Sequence, residues 1–366
     1  MVIIGALVFG AGFFFTREIT ITQIVSSVFG GIRMEEKIQD GIAMLKASAP
    51  LEYSLGRQET ALAILNIQTG KLSEERIVIT PSGELISTAS LPVQIKWWNL
   101  FNSVYEIPGH PELVVVANKF LVERKYLPEQ QNLRLVLDGP DSKYTDMVYA
   151  PYSEQIHTAD VVASGKQYIN DRADAALKDL RIKRVASRTV PDKLVVDVVP
   201  PDLVKNIILA ETVDPGWLGF ADDGGLALAE RALVIIGANR EWAYRYTNSK
   251  AGANGLAQFI EPTYDLMVER YPEAGLIKDH TLGMADHTNA FKAIALLFDN
   301  ETKAIQDKTA QPVTREMLAA AYNGGPSRVI RAVKSDGQQW ADSAIFPSET
   351  SEYVKKYELI AKLKIF

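Results

Sequence analysis

The spacing of hydrophobic and polar positions changes along the chain and divides it into regions of different texture. Residues 1–31 are mostly apolar, residues 60–160 carry short β-branched and aromatic runs, and nearly every segment after Pro201 has helical spacing. Alternation with a period of two is typical of strands, and recurrence at i, i+3 and i+4 is typical of helices. The pattern predicts an α+β multidomain protein, with a hydrophobic amino-terminal helix, a β-rich module and a mainly helical carboxyl-terminal domain.

Residues 2–15 form an uninterrupted apolar run at the amino end. As a helix, these roughly fourteen residues would extend about 21 Å, less than the hydrocarbon core of a bilayer. Arg17 and Glu18 end the run and no basic residue precedes it, so its length fits a signal peptide but its flanks do not. Of the two alternatives, a buried first element or an export signal or anchor over residues 1–31, we favour the second.

A helical linker is predicted over residues 32–58, because apolar residues recur at helical spacing before Pro50. A β-rich module without an assigned role is predicted over residues 59–197. Turn formers separate its β-branched and aromatic runs. These runs are residues 62–67, 77–80, 93–98, 113–116, 133–137 and 147–149.

The last part of this module is expected to contain a helix over residues 168–180 and connecting strands over residues 185–199. Pro200 and Pro201 follow, and helical spacing dominates beyond them. We therefore place the domain boundary near residue 198 and a mainly helical domain over residues 198–366.

The composition of the chain excludes several kinds of partner and of catalysis. The 366 residues carry a formal net charge of -6, which argues against a nucleic-acid partner held through its phosphates. Cys is absent, so disulfides, thiolate catalysis and thiolate metal sites are excluded. The four His residues lack the pairing with Glu of a zinc-protease helix, which argues against a His-rich metal centre.

A single carboxyl group at the end of an apolar helix face is the first candidate for catalysis. The segment after Pro200 predicts a helix in which Val204, Ile207, Ile208 and Glu211 share one face. Burial on that face would disfavour the charged form and raise the pKa of Glu211, as a general acid near neutral pH requires. The alternative is a solvated Glu at a helix end.

Three short motifs follow in the chain. The first, GLAQ, ends at Gln258, whose amide can both donate to and accept from a ligand near a glycine-rich turn. The second, AYNGG, presents Tyr322 and Asn323 where a helix stops at Gly-Gly-Pro. The third, ETSEYV, predicts a helix that begins near Thr350 and presents Tyr353. Each motif alone is also compatible with an ordinary turn or cap.

In this order, the segments resemble the family 1 lytic transglycosylases of the soluble-lytic-transglycosylase (SLT) type, which have a lysozyme-like domain. That family reads Glu-Ser at a helix end, then Gly-Leu-Met-Gln, Ala-Tyr-Asn-Ala-Gly and Glu-Thr-x-x-Tyr-Val. The counterparts here are Glu211-Thr212 and residues 255–258, 321–325 and 349–354. Residues 286–294 resemble the family's Asn-led helix, and the resemblance covers about residues 198–366.

Three departures from the family pattern accompany the resemblance. Ala257 replaces the Met of the second motif, and Thr212 replaces the Ser that follows the catalytic Glu. The chain between Glu211 and the second motif is also longer than the usual family spacing. We predict that an extra segment, residues 222–246, fills this length and contains a helix.

The long spacing makes Glu241 a rival for the acid, because it precedes Gly255 at close to the ordinary family spacing. The residues just before Glu241 lack a bulky apolar face, and Arg240 adjoins it. A nearby guanidinium would hold a carboxyl ionised, which is the wrong direction for a general acid. We therefore favour Glu211.

The resemblance implies a lytic transglycosylase that cleaves the β-1,4 bond between MurNAc and GlcNAc in peptidoglycan. Glu211 would protonate the glycosidic oxygen and then, as a carboxylate, take the proton of the MurNAc C6 hydroxyl, which gives a 1,6-anhydro end. The residues that the resemblance assigns to sugar binding are Thr212, Gln258, Tyr322, Asn323 and Tyr353. The implied mechanism needs no metal and no organic cofactor.

Two alternatives to this activity remain. One is a lysozyme-like hydrolase of N-acetylated glycans, in which Asp222 or Asp223 could supply a second carboxylate, although we favour a solvated loop pair at these two positions. The other is a non-catalytic envelope protein that binds glycan. The expected partners are peptidoglycan glycan strands, a membrane tether at the amino end, and envelope or secretion-complex proteins that bind the β-rich module. We expect an exported protein of the cell envelope, at the outer face of the cytoplasmic membrane or in the periplasm.

Overall fold

A computed structural model describes residues 31–54, 56–123, 144–213 and 225–366. The protein is α+β, with a β-rich amino-terminal region and a helical carboxyl-terminal domain, as the sequence pattern predicts. Within these described ranges no helix is long and apolar enough to cross a bilayer. The hydrophobic helix expected over the first 30 residues and the run at 133–137 lie outside the described residues.

The described residues form two compact units. The first unit contains the described part of residues 31–165 together with residues 233–243. The second contains the described part of residues 166–232 together with residues 244–366. The units therefore divide after residues 165, 232 and 243, whereas the proline pair at 200–201 led us to expect one boundary near residue 198.

The first unit is built on an antiparallel sheet with the strand order β4-β3-β2-β7-β8, in which β1 also pairs with β2, while β5 and β6 form a separate pair. The strands are β1 (Tyr53–Ser54), β2 (Arg57–Asn66), β3 (Leu72–Ile79), β4 (Leu85–Thr88), β5 (Gln94–Trp97), β6 (Val104–Glu106), β7 (Leu113–Glu123) and β8 (Tyr144–Tyr149). Five of the six predicted runs thus coincide with strands, and the sixth is the undescribed run.

Helix α1 (Met34–Ala47) packs on this sheet and buries Ile38. Close packing depends on Gly41, where a Cβ would lie 2.9 Å from Cγ2 of Val116. The predicted helix is confirmed, but it is an integral layer of the β-rich module and not a linker over residues 32–58.

Residues 233–243 complete the core of the first unit. Val234 and Ala238 belong to the same buried cluster as α1 and the sheet. The Asn239 side chain accepts from the Ala150 amide at 2.7 Å and donates to the Ala150 carbonyl at 2.9 Å. A segment distant in sequence is therefore fixed by both apolar contacts and buried hydrogen bonds.

Helices account for nearly all regular structure after residue 158. They are α2 (Ala159–Ile182), α3 (Val195–Val198), α4 (Pro201–Thr212), α5 (Leu226–Asn239), α6 (Glu261–Arg270), α7 (His280–Ala285), α8 (His287–Thr309), α9 (Arg315–Gly324), α10 (Pro326–Asp336) and α11 (Ser348–Lys362). In the second unit α11 packs against both α4 and α9. These three helices carry Glu211, Tyr322 and Tyr353.

The connecting strands predicted over residues 185–199 are wrong. This stretch has one isolated bridge, between Ala186 and Leu194, and then the short helix α3. A buried carboxylate holds its first part in place, since Asp299 accepts from the Ser187 hydroxyl at 2.5 Å and the Arg188 amide at 2.7 Å. β-Branched residues favour a strand only where a neighbouring strand is available to pair.

Candidate active site

Glu211 lies on the last turn of α4, where the apolar face of that helix ends. Pro201 occupies the first helical turn, where its missing amide hydrogen costs nothing. Val204, Ile207 and Ile208 are buried, and Glu211 is partly buried. The helix bounds and the burial of this face confirm the prediction from spacing.

The Glu211 carboxyl is held by Tyr353 of α11. The Tyr353 hydroxyl donates to Oε1 of Glu211 at 2.5 Å, and Tyr353 is only 5% exposed. The two residues are 142 positions apart in the chain. The first and last motifs, which the sequence could only place in order, therefore meet at one hydrogen bond.

Removal of the Glu211 carboxyl from water raises its pKa, and this is the largest of the effects that act on it. The Lys356 ammonium and the Tyr353 hydrogen bond lower the pKa, whereas the charge of Glu349 raises it. The net direction is upward from the ordinary value of 4.5. A carboxyl with this environment keeps its proton to higher pH than a solvated one does, as a general acid must.

Lys356 is a member of this cluster that the sequence analysis missed. Its Nζ donates to the carbonyl oxygen of Val213 at 3.1 Å, immediately beyond α4. It also lies 5.0 Å from the ring centroid of Tyr353, one helical turn away. The only sequence signal would have been a lysine at i+3 from Tyr353, on the face of α11 that the protein buries.

The second and third motifs meet through Tyr322. Its hydroxyl donates to the carbonyl oxygen of Ala257 at 2.5 Å, and its ring packs edge-on against Phe259 at 5.7 Å. Burial raises the pKa of Tyr322, and the charge of Glu211 raises it further. Tyr322 is therefore a neutral hydrogen-bonding group, close enough to Glu211 for the charge of that carboxyl to disfavour ionisation of the tyrosine hydroxyl.

The GLAQ loop depends on a glycine. Gly255 has φ +69°, and a Cβ there would lie 2.4 Å from the Met284 carbonyl oxygen. Three residues later, Gln258 also has a positive φ of 48°, and its Nε2 donates to the Gly255 carbonyl oxygen at 2.7 Å. Gln258 is partly buried, and its amide oxygen makes no hydrogen bond with the described residues.

The third and fourth motifs are joined through Asn323 and Thr350. The Thr350 hydroxyl donates to Oδ1 of Asn323 at 2.8 Å. Gly324 permits this approach, because a Cβ there would lie 2.9 Å from the Thr350 hydroxyl oxygen. Asn323 itself is exposed, and its amide nitrogen makes no hydrogen bond to the described residues.

Two candidate residues from the sequence, Thr212 and Glu241, have environments unlike that of Glu211. The Thr212 hydroxyl donates within its own helix, to the carbonyls of Ile208 and Leu209 at 3.1 Å each. Glu241 is exposed in a 3-10 turn of the first unit, and the neighbouring Arg240 donates to Glu35 at 2.7 Å. Asp222 and Asp223 lie outside the described residues.

The family comparison gives an independent result for the middle of this site. Residues 242–345 match the family model of the transglycosylase SLT domain. The match includes Gln258, Tyr322 and Asn323. It does not include Glu211, which precedes it in the chain, or Tyr353, which follows it. Comparisons with curated proteins and with solved structures give no match.

The motif resemblance is thereby confirmed at the level of the family. SLT domains are those of lytic transglycosylase-type enzymes, which act on peptidoglycan. Residues 242–345 of this chain are therefore similar to the transglycosylase SLT domain family.

Proposed function

We propose that the protein is a lytic transglycosylase that cleaves the MurNAc-GlcNAc β-1,4 bond of peptidoglycan and leaves 1,6-anhydro-MurNAc ends. The observation that carries this proposal is the hydrogen bond between Tyr353 and Glu211, at a carboxyl whose pKa is raised by burial. Both residues lie outside the family-matched segment, and the charge of Glu211 acts on Tyr322 within that segment, which supports Glu211 as the proton donor of the same site.

In the first half of the reaction, protonated Glu211 gives its proton to the glycosidic oxygen as the bond from that oxygen to C1 of MurNAc breaks. Positive charge then develops at C1, as in glycoside cleavage generally. In the second half, the Glu211 carboxylate takes the proton of the MurNAc C6 hydroxyl as O6 bonds to C1. No water is consumed, and Glu211 ends protonated and ready for another turnover.

The neighbouring groups would bind the sugar and its N-acetyl substituent. The Gln258 amide oxygen and the Asn323 amide nitrogen make no hydrogen bonds to the described residues, and they supply an acceptor and a donor of the kind that an acetamido group pairs with. Tyr322 holds the second motif against the third. The Thr212 hydroxyl is engaged with its own helix, so we assign it a weaker part in binding.

The proposed substrate also bears on the cellular setting. Peptidoglycan lies outside the cytoplasmic membrane, so we propose that the protein is exported to the cell envelope, with the apolar run at residues 2–15 as signal or anchor. For the β-rich module we propose contacts with envelope or secretion-complex proteins.

The first test is digestion of purified sacculi by the wild-type protein and by Glu211→Gln. The wild type should release products that carry 1,6-anhydro-MurNAc, identified by mass spectrometry. Loss of the general acid should slow release by about 10²- to 10⁴-fold. Glu241→Gln is the matched control, because it removes the rival carboxyl in the same way, and it should leave the rate nearly unchanged.

Three outcomes would contradict the proposal in different ways. Reducing-end products would indicate a hydrolase instead of a transglycosylase. Intact sacculi in the presence of folded protein would indicate a binding protein without this activity. A large loss in Glu241→Gln with little effect of Glu211→Gln would move the acid to the other carboxyl.

A further inference from the structure

Two adjacent lysines on α11 have opposite environments. Lys355 is exposed, whereas Lys356 is only 6% exposed. Burying an ammonium group is costly unless its hydrogen bonds and charge are compensated. At Lys356 the compensation comes from the Val213 carbonyl, the face of the Tyr353 ring and the charge of Glu211.

The position of Lys356 relative to α4 is specific. Val213 is the residue that caps the carboxyl end of α4, two positions after Glu211. A cation at a helix carboxyl terminus interacts favourably with the exposed carbonyls there. Lys356 therefore ties α11 to the turn that carries Glu211, as the Tyr353 hydroxyl does through its hydrogen bond to the carboxyl.

The charged and titratable groups around Glu211 come from two helices. From α11 these are Glu349, Tyr353 and Lys356, and from α9 it is Tyr322. Tyr322 and Tyr353 are neutral, because burial and the charge of Glu211 raise the pKa of both. Among these described neighbours Lys356 is the cation, and it opposes the effects of burial and of Glu349.

We propose that Lys356 is a positioning residue that allows one carboxyl to act first as acid and then as base. It holds the Glu211–Tyr353 pair in place and stabilises the Glu211 carboxylate that exists between the two proton transfers. This inference rests on the proposed function for its catalytic meaning, although the pairing of Lys356 with Glu211 is testable without any substrate.

The experiment compares Lys356→Gln and Lys356→Arg with Lys355→Gln in the full-length protein. Lys356→Gln keeps a hydrogen-bond donor for Val213 but removes the charge, and Lys355→Gln removes the same charge from an exposed neighbour. The carboxyl of Glu211 is titrated by ¹³C NMR. We expect its midpoint to rise by at least about one pH unit in Lys356→Gln, and to stay near the wild-type value in the other two variants.

The pH profile of sacculus cleavage gives the second readout. In Lys356→Gln the alkaline limb should move to higher pH by the same amount, because Glu211 keeps its proton longer. The plateau rate should fall several-fold, because the acid is weaker and its carboxylate less stabilised. Lys356→Arg should restore both quantities. If Lys356 had only a structural role, Lys356→Gln would lower the stability of the protein without shifting the alkaline limb of the pH profile.

A further measurement covers the case in which Lys356→Gln does not fold. In the wild-type protein, the ¹⁵Nζ resonance of Lys356 should follow the titration of Glu211, and this dependence should disappear in Glu211→Gln. An unchanged Glu211 midpoint in Lys356→Gln, an equal shift in Lys355→Gln, or a Lys356 resonance that ignores Glu211 would overturn the inference. If Glu211→Gln retains full activity while the NMR coupling is present, the proposed function fails and the pairing stands.

Discussion

At the scale of single residues, Glu211 could be identified from the sequence because its helix places it at the end of an apolar face. A spacing argument of this kind predicts burial, and burial predicts the direction of the pKa shift. It cannot supply the partner, since Tyr353 approaches from 142 positions away. Lys356 was missed for a related reason, because adjacent lysines on a helix normally face solvent.

Glu301 is a second buried carboxyl, on α8. It is 3% exposed, and its Oε2 has no hydrogen-bond partner among the described residues. Phe298, one turn earlier on the same helix, contacts the Tyr322 ring at 5.9 Å between centroids, and the charge of Glu301 raises the pKa of Tyr322. Burial raises the pKa of Glu301 itself well above 4.5.

This burial predicts a pH-dependent stability. Above pH 4.5 the unfolded chain releases the Glu301 proton while the folded protein retains it, so stability is lost as pH rises toward the folded pKa. Glu301→Gln removes this loss. We expect it to raise the free energy of unfolding at pH 7 by at least about 1 kcal/mol, measured by urea denaturation, and to change it little at pH 4.

Glu269→Gln is the control for Glu301→Gln, because Glu269 is exposed on α6. It should leave the pH dependence of stability as in the wild type. An equal gain at pH 4 and pH 7 in Glu301→Gln would show that the effect comes from packing and not from the proton.

At the scale of elements, the sequence predicted what local patterning controls. The bounds of α4 follow from its proline start and its apolar face, and five runs of β-branched and aromatic residues became strands. The failure at residues 185–199 has the opposite origin. That segment has strand-like residues but is held by the carboxylate of Asp299, which no local pattern could reveal.

The GLAQ loop provides a test at this scale. Gly255→Ala combines a positive φ with a clash against the Met284 carbonyl, so we expect a loss of about 2–3 kcal/mol in unfolding free energy. Sacculus cleavage should fall as well, because Gln258 and Ala257 lie on the same loop. Both are measured on the purified variant, by denaturation and by product release.

Gly252→Ala separates the two causes of that loss. Gly252 has a similar φ of +82°, but a Cβ there would meet nothing within 4 Å. It should cost about 1 kcal/mol from backbone strain alone. Equal losses in the two variants would show that the approach to Met284 does not restrain the loop.

At the scale of the whole molecule, the order of the motifs predicted the family, and the family match to residues 242–345 confirms it. The division of the chain into units was not predictable in the same way. Residues 233–243 have ordinary helical spacing, and only the three-dimensional structure shows that Val234 and Ala238 pack in the core of the first unit.

This arrangement predicts the behaviour of a fragment. A chain cut at the expected boundary, residues 198–366, retains residues 233–243 but lacks the partners that bury them. We expect it to bind a hydrophobic dye, to self-associate and to melt at a lower temperature than the full-length protein. Val234→Ser in the fragment should reduce the self-association. A monomeric fragment with the full-length melting temperature would contradict the prediction.

The hydrogen bond between Tyr322 and residue 257 does not depend on the side chain at residue 257. The tyrosine hydroxyl bonds to a main-chain oxygen, which every amino acid possesses. A methionine can therefore give way to Ala257 without cutting the link between the two loops. The side chain at residue 257 thus differs from that of the family motif, while the contact that joins the two loops is made by the backbone.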